Sequence, residues 1–264
     1  MSLLENAKFL LRKHRIFPKK PLGQNFMVDS SIFQLMADYA SLSQSDVALD
    51  IGAGLGFLTS FLAGKCRQVL AVEADMRLVK VLREQFRDKP NVKLVEGDVL
   101  KVPVPLFNKV VSVPPYNISS RLVSWLFNKK FDCAVLIFQR EFADKLVASV
   151  GSDCYGWLTV LAYYYFETEL LDDVPKSLFY PQPKVDSVIV RLKPRRQHPF
   201  ALKNEELFKR LVHSLFTQRN RKVRNAVTAF KKDAVPAVPS YLCAKRVREL
   251  APEDFGALAN ALSA

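Results

Sequence analysis

A glycine-rich loop and two acidic residues have the types and the spacing of a site that binds a nucleoside. The loop, Gly-Ala-Gly-Leu-Gly at 52–56, follows an apolar run that is typical of a buried strand. Gly52 and Gly54 allow a tight turn close to a ligand, and the helix expected next offers free N–H groups. Glu73 and Asp98 end the next two apolar runs. Their carboxylates can accept hydrogen bonds, the first from ribose hydroxyls and the second from an adenine amino group.

Other interpretations of these residues fit the pattern less well. Helix capping explains either acid alone, but it does not explain one loop and two acids after three successive strands. The dinucleotide fingerprint needs a third glycine where this chain has Phe57, and no Gly-Lys-Ser/Thr of a P-loop follows. The combination resembles the class I fold of methyltransferases that use S-adenosylmethionine. The resemblance implies that this cofactor binds at Gly52, Gly54, Glu73 and Asp98.

A proline-rich turn supplies a second group of candidate residues. Ser-Val-Pro-Pro-Tyr-Asn at 112–117 ends the fourth strand of the pattern, where two prolines stop the ladder and leave a rigid turn. The turn resembles the (Asp/Asn/Ser)-Pro-Pro-Tyr signature of methyltransferases that act on base amino groups, although a surface turn without function is the alternative. The resemblance implies that Tyr116 stacks on the target base and that the Pro114 carbonyl accepts a hydrogen bond. Val113 occupies the first position of the motif, and we assign it to both the catalytic and the cofactor-binding residues.

The reactivity of adenine explains why such residues are needed. The lone pair of its amino group is delocalised into the ring, so the nitrogen is a poor nucleophile. Acceptors on both amino protons draw the nitrogen towards tetrahedral geometry and free the lone pair. An aromatic ring holds the splayed-out base, and accurate positioning accelerates the in-line displacement at the methyl group.

Alternating strands and helices position these residues. The predicted elements are strands at 47–51, 69–73, 92–96, 109–113 and 133–138, and helices at 58–65 and 76–86. Continuous apolar strands with helices between them indicate a mostly parallel sheet that is covered on both faces. Segments 158–167 and 185–192 are rich in β-branched and aromatic residues, so we expect them to complete the sheet as an antiparallel edge pair. The predicted fold class is α/β and Rossmann-like.

The composition changes after this sheet. A basic linker with two prolines at 193–199 precedes three segments with helical periodicity, at 205–217, 222–230 and 252–262. We therefore predict a methyltransferase domain at 1–194 and a small, basic helical domain at 195–264.

The positive charge of the chain is concentrated at its ends. Residues 1–25 carry six Lys/Arg and one Asp/Glu (+5), residues 26–190 carry 17 and 19 (−2), and residues 191–264 carry 16 and six (+10). A polyanion partner explains this segregation better than a solvated basic surface does. No run approaches the ~20 apolar residues of a membrane span, and no signal peptide is recognisable. We expect a cytoplasmic monomer without a membrane partner. We also expect no metal, because the four cysteines form no CxxC pair.

Five segments resemble the KsgA family of small-subunit ribosomal RNA adenine dimethyltransferases. They are Lys-Pro-Leu-Gly-Gln-Asn-Phe-Met at 20–27, Gln-Arg-Glu-Phe-Ala at 139–143, Tyr-Gly-Trp-Leu-Thr-Val at 155–160, Phe-Tyr-Pro-Gln-Pro-Lys-Val-Asp-Ser at 179–187 and Phe-Thr-Gln-Arg-Asn-Arg-Lys-Val-Arg-Asn at 216–225. They span nearly the whole chain, and the first and fourth are highly specific to the KsgA/Erm superfamily. Tyr-Asn-Ile-Ser-Ser at 116–120 is closer to the archaeal and eukaryotic branch.

This resemblance implies further roles. Gln24, Asn25 and the Met27 backbone close over the cofactor, and Phe179 supplies a second aromatic ring against the target base rather than a core side chain. Basic residues of the C-terminal domain contact RNA phosphates rather than forming a solvated helix face. Those residues are Arg219, Arg221, Lys222 and Arg224. The implied substrate is small-subunit ribosomal RNA in a pre-ribosomal particle, with two adjacent adenines as targets.

One departure from the family pattern affects catalysis. Family members usually have Asn at the position of Val113, in a motif that runs Asn-Leu-Pro-Tyr. A missing acceptor costs about 1–3 kcal/mol in the transition state, which is roughly a tenfold to hundredfold loss of rate. We therefore expect transfer that is slow or that stops after one methyl group.

Two other functions remain open at this point. An Erm-like enzyme would methylate adenine in large-subunit RNA, although the long basic C-terminal region and the 219–225 segment favour the small subunit. An RNA-binding assembly or transcription factor with weak catalysis would have the same fold, and Val113 is the feature that favours it. The intact glycine loop, Glu73, Asp98 and Tyr116 argue against it, because a protein that only binds RNA has no need of them.

Overall fold

The computed structural model describes residues 1–19, 22–231 and 238–263. The chain divides into two compact units, the first formed by Met1–Ala143 and Glu169–Pro194 and the second by Asp144–Thr168 and Arg195–Ala264. Within the described ranges, no helix combines the length and apolar character needed to cross a membrane. The same ranges contain no group of three or more His, Cys, Asp or Glu side chains placed to hold a metal ion.

A seven-stranded sheet is the centre of the first unit. The strands of the described chain are β1 (Phe26–Met27), β2 (Val47–Ile51), β3 (Gln68–Glu73), β4 (Val92–Glu96), β5 (Lys109–Ser112), β6 (Cys133–Gln139), β7 (Phe166–Val174), β8 (Phe179–Tyr180) and β9 (Ser187–Pro194). The sheet has the order β4-β3-β2-β5-β6-β9-β7, and β1 and β8 form a separate antiparallel pair. The contacts from β4 through β6 are parallel, and β9 is antiparallel to β6. The predicted α/β class with a mostly parallel sheet is confirmed.

The sheet changes direction of winding between β2 and β5. Their parallel register covers Ala48 opposite Lys109 and Leu49 opposite Val110. Beyond it, the Ser112 hydroxyl accepts a hydrogen bond from the Ile51 N–H at 2.9 Å and donates one to the Ile51 carbonyl at 2.7 Å. A side chain therefore joins the two strands at their carboxyl ends. Open α/β sheets bind ligands at such a switch point.

Helices cover the sheet and form the second unit. They are α1 (Leu3–Lys13), α2 (Ser30–Tyr39), α3 (Phe57–Ala63), α4 (Met76–Gln85), α5 (Ser119–Leu126), α6 (Arg140–Leu146), α7 (Trp157–Tyr165), α8 (Glu205–Phe216), α9 (Val223–Phe230), α10 (Ser240–Cys243) and α11 (Pro252–Leu262). The apolar side of α1, with Leu10 and Leu11, packs against Leu78 and Val81 of α4. The basic N-terminal helix is thus attached to the unit that contains the sheet.

The prediction of a strand at 158–167 is wrong. Most of this segment is α7, and the outer strand of the sheet is the more polar β7 that follows it. Helix α7 is apolar on nearly all sides and packs against α8 and α11. A short, fully buried helix and a buried strand have similar compositions, so apolar periodicity does not separate them.

The second unit includes more of the chain than the sequence indicated. In it, α8 packs against α7, α9 and α11, and α9 packs against α10. The buried Tyr155 hydroxyl donates to the Leu250 carbonyl at 2.7 Å, which ties residues before and after the linker together. Residues 144–168 therefore belong with 195–264, whereas the sequence-based division placed them in the first domain. The apolar surface of α7 explains the difference, because α8 and α11 bury it.

Candidate active site

A cavity of about 300 Å³ lies at the carboxyl ends of β2, β3, β4 and β5. The predicted cofactor residues that line it are Gln24, Asn25, Gly52, Gly54, Glu73, Asp98 and Val113. Met27 lines a smaller adjoining cavity, which shares Asn25, Gly52, Gly54 and Val113. Pro114, Tyr116 and Phe179 line neither cavity, although Pro115 and Asn117 on both sides of Tyr116 line the larger one.

Glu73 lines the cavity and is hydrogen-bonded to the glycine loop. Its side chain is 7% exposed, and its two oxygens accept hydrogen bonds from the N–H groups of Gly54 and Asp75, each at 2.8 Å. Burial raises the pKa of this carboxyl above its ordinary value. Each carboxylate oxygen has a further lone pair, so both can also accept hydroxyl hydrogens. Glu73 does not cap a helix; the N-cap of α4 is Asp75, which accepts from Arg77 N–H.

Asp98 caps the turn after β4 and also lines the cavity. Its Oδ1 accepts a hydrogen bond from Leu100 N–H at 3.0 Å and so fixes the turn after β4. The same residue lines the cavity together with its neighbours Gly97 and Val99. A turn-capping carboxylate at this position is held in one place, which suits recognition of an amino group.

The glycine loop meets the proline-rich turn at close range. Gly52 has a φ of +75°, and a Cβ at this residue would lie 2.7 Å from the Pro115 Cδ. Only glycine fits this conformation and this approach. Two residues earlier, Asp50 is almost completely buried and accepts a hydrogen bond from the Thr59 hydroxyl at 2.6 Å. Burial raises the pKa of Asp50 to about 7. The sequence analysis missed Asp50, whose signal is a lone acid inside an apolar strand.

The segment around Gln24 is attached to the rim of the cavity by its own side chain. The Gln24 amide oxygen accepts from Lys19 N–H at 2.7 Å, and its nitrogen donates to Asp75 Oδ2 at 2.8 Å. The Arg77 guanidinium is the main cause that lowers the pKa of Asp75 to about 2, and the Gln24 amide contributes to the same shift. The Asp75 carboxyl is therefore ionised. Gly23, with a φ of +65°, brings the segment against the turn, because a Cβ here would lie 3.2 Å from Tyr116 N. The predicted covering segment therefore contacts both the cavity and the proline-rich turn at 112–117.

The proline-rich turn at 112–117 brings two aromatic rings together. The Tyr116 hydroxyl and the Ser187 hydroxyl share a hydrogen bond of 2.8 Å, and Ser187 is fully buried. The rings of Tyr116 and Phe179 meet edge to face, with centroids 6.3 Å apart and planes at 66°. Phe179 is 3% exposed, packs in the main apolar cluster and pairs with Met27 through β1 and β8, so it is a core side chain, contrary to the expectation from the sequence. Burial raises the pKa of Tyr116 to about 12, so the ring carries a neutral hydroxyl.

The four predicted RNA-binding residues lie in the second unit and differ in their surroundings. Arg221, Lys222 and Arg224 are exposed. Arg219 is half-buried, and its guanidinium donates to the carbonyls of Ser152 and Asp153, both at 2.8 Å. Backbone hydrogen bonds also join this segment to residues 245–248. Arg219 therefore fixes the segment in place, while the other three cations face solvent.

The strand order and the cavity at the switch point define a class I methyltransferase. The chain belongs to the ribosomal RNA adenine dimethylase family, whose sequence model matches residues 17–263. It is 38% identical to the probable ribosomal RNA small subunit methyltransferase A of Methanosarcina barkeri, over 96% of this chain and 91% of that protein. It is 36% identical to the protein of the same name from Methanopyrus kandleri, over 99% of this chain and 98% of that one.

Solved structures extend the similarity to three dimensions. A dimethyladenosine transferase from Plasmodium falciparum superimposes with a TM-score of 0.75 and 27% identity, over 87% of this chain and 94% of that chain. The 23S rRNA methyltransferase ErmE superimposes with a TM-score of 0.68 and 30% identity, over 91% of this chain and 100% of that chain. The resemblance to the KsgA/Erm superfamily is confirmed.

Proposed function

We propose that the protein transfers methyl groups from S-adenosylmethionine to the N6 amino group of adenines, two adjacent ones, in small-subunit ribosomal RNA. The main observation is the position of Tyr116 between Pro115 and Asn117, which line the same cavity as Glu73 and Asp98. A stacking ring next to a nucleoside-binding cavity places a base amino group beside a methyl donor. The names of the Methanosarcina and Methanopyrus relatives support the small subunit as the substrate.

The residues of the cavity suit S-adenosylmethionine, which supplies an electrophilic methyl group when bound. The Glu73 oxygens accept the ribose hydroxyl hydrogens, because each retains a lone pair beside its hydrogen bond to a backbone N–H. Asp98 accepts from the adenine amino group of the cofactor. Gln24, Asn25 and the Met27 backbone cover the cavity, and Gly52 and Gly54 leave room for the ligand.

The turn after β5 holds and activates the target adenine. Tyr116 stacks on the base, and Phe179 supports the edge of the Tyr116 ring. The Pro114 carbonyl accepts one amino hydrogen. Val113 has no acceptor for the second one, so activation of the nitrogen is incomplete and transfer is slow. Water is excluded from the base by the apolar surroundings of Phe179 and Val113.

The exposed cations of the second unit bind the ribosomal RNA backbone. Arg221, Lys222 and Arg224 contact phosphates, and Arg219 positions them through its bonds to the Ser152 and Asp153 carbonyls. We expect a monomer that acts in the cytoplasm on a pre-ribosomal particle.

A second candidate function is a weakly catalytic assembly factor on the same fold, and Val113 is the observation that favours it. The two are separated by incubating the protein and radiolabelled S-adenosylmethionine with unmethylated small subunits, large subunits and free RNA. Label on small-subunit RNA is the expected result. Binding to small subunits without any label would favour the assembly factor. Label on large-subunit RNA alone would favour an Erm-like enzyme.

A further inference from the structure

Arg121 is the one cation among the described residues that line the cofactor cavity. Three acids line the same cavity: Glu73, Asp75 and Asp98. The Arg121 side chain nevertheless has no hydrogen bond or ion pair with any residue in the described part of the chain, and it is exposed. Its guanidinium is thus at the open side of the cavity and available to a ligand.

The position of Arg121 in its helix is unfavourable for the free protein. Helix α5 begins after its N-cap Ile118, so Arg121 is the third residue of the first turn. The N-terminal end of a helix carries a partial positive charge, which repels a cation. No acid in this first turn compensates for it. An anion bound at Arg121 would remove the repulsion.

The cofactor is a poor match for this cation. S-adenosylmethionine carries a net positive charge, since its sulfonium and ammonium groups outnumber its single carboxylate, and its ribose and amino groups are hydrogen-bond donors that suit the three acids. A guanidinium only donates hydrogen bonds and repels a sulfonium. The target RNA is a better match, because its phosphates are anions and accept the two parallel hydrogen bonds of an arginine.

A short, fixed turn connects Arg121 to Tyr116. It follows Tyr116 by five residues, and the connecting 3₁₀ turn Tyr116–Ile118 is fixed by a hydrogen bond from the Ser119 hydroxyl to the Tyr116 carbonyl at 2.9 Å. A nucleotide stacked on Tyr116 brings its flanking phosphates to the mouth of the same cavity. We propose that Arg121 binds a backbone phosphate beside the target adenine. This inference rests on the proposed function, since it takes RNA as the substrate.

Equilibrium binding without turnover tests the inference. Transcribed small-subunit ribosomal RNA is titrated with wild type, Arg121→Ala, Arg121→Lys and Arg67→Ala, at saturating S-adenosylhomocysteine and several KCl concentrations. Arg67 is the matched control, because it is exposed and precedes β3 at the opposite edge of the sheet. Calorimetry with S-adenosylmethionine is run on the same proteins.

For Arg121→Ala we expect RNA binding to weaken about threefold to tenfold at 100 mM KCl and the salt dependence to fall by about 0.7 in slope, as for one lost phosphate contact on a single strand. Arg121→Lys keeps most of the slope, Arg67→Ala matches the wild type, and cofactor affinity stays within about twofold.

Unchanged RNA binding in Arg121→Ala would overturn the inference, as would a loss confined to cofactor binding. If the expected losses appear but wild type transfers no methyl group, the proposed function fails and the phosphate contact stands. If wild type does not bind the RNA, both fail.

Discussion

The Tyr116 hydroxyl lies 2.8 Å from the Ser187 hydroxyl, 71 positions away in the sequence. Tyr116 is on the turn after β5, and Ser187 begins β9, which pairs with β6. The hydrogen bond therefore fixes the ring that is to stack on the target base to a buried strand of the sheet. Ser187 is a positioning residue, because it acts through Tyr116.

Removing either partner of this hydrogen bond should slow methyl transfer by the same factor. Ser187→Ala and Tyr116→Phe each remove one hydrogen bond that positions the ring, which raises the activation free energy by about 1 kcal/mol. We therefore expect kcat to fall about fivefold in each. The double variant should lose no more than one single variant, because both changes remove the same contact. KM for the cofactor should not change. Steady-state kinetics on small subunits checks this, and multiplied losses in the double variant would contradict it.

Restoring an acceptor at position 113 should accelerate transfer. Val113 lines the cavity and packs against the main apolar cluster. In Val113→Asn, the amide oxygen supplies the missing acceptor for the second amino hydrogen, and we expect kcat to rise roughly tenfold to hundredfold. Val113→Ala also lacks an acceptor and serves as the control, with no increase. The rates are compared at saturating cofactor, where equality of wild type and Val113→Asn would refute the explanation.

Glu73→Gln should weaken cofactor binding by at least about tenfold. The amide nitrogen that replaces one oxygen is a donor, and it faces the N–H group of either Gly54 or Asp75. The matched control is Glu96→Gln, because Glu96 is the register partner of Glu73 on β4 but pairs with Arg83. Calorimetry with S-adenosylmethionine should show normal affinity for the control. Equal affinities of the two variants would show that Glu73 does not hold the ligand.

Asp50 should make the stability of the free protein depend on pH. Burial raises its pKa from 3.8 to about 7, with the Glu73 carboxylate adding to the rise. The folded state therefore favours protonated Asp50, whose contribution is complete below about pH 4 and is lost as the pH rises to about 7. Asp50→Asn stays neutral, so its urea midpoint relative to wild type should rise from pH 4 to 7 and then level off. The exposed Asp88→Asn is the control. A constant difference across this range would contradict the assignment.

Much of the fold was predictable because buried parallel strands have continuous apolar sequences. The predicted bounds of β2 and β4 agree with the structure, and β5 ends one residue earlier than expected, where Ser112 turns its hydroxyl to Ile51. Helix α7 was mistaken for a strand because its burial, on α8 and α11, depends on residues far along the chain. Sequence patterns do not contain that information.

The cofactor-binding part of the site was predictable where motif residues follow the ends of apolar strands. Gly52 and Glu73 stand at strand ends, and the structure places both at the cavity. Ser187, Asp50 and Arg121 were missed. Each matters through a neighbour that is distant in sequence or through its position in the helix, so the residue type alone gave no signal.

The most direct test of the central claim is mass spectrometry of nucleosides from unmethylated small subunits treated with the protein and S-adenosylmethionine. We predict N6-methyladenosine and, at longer times, N6,N6-dimethyladenosine in the small-subunit RNA, with Tyr116→Ala as the inactive control. Unmodified adenosine after prolonged incubation, with RNA and cofactor both shown to bind, would contradict the account.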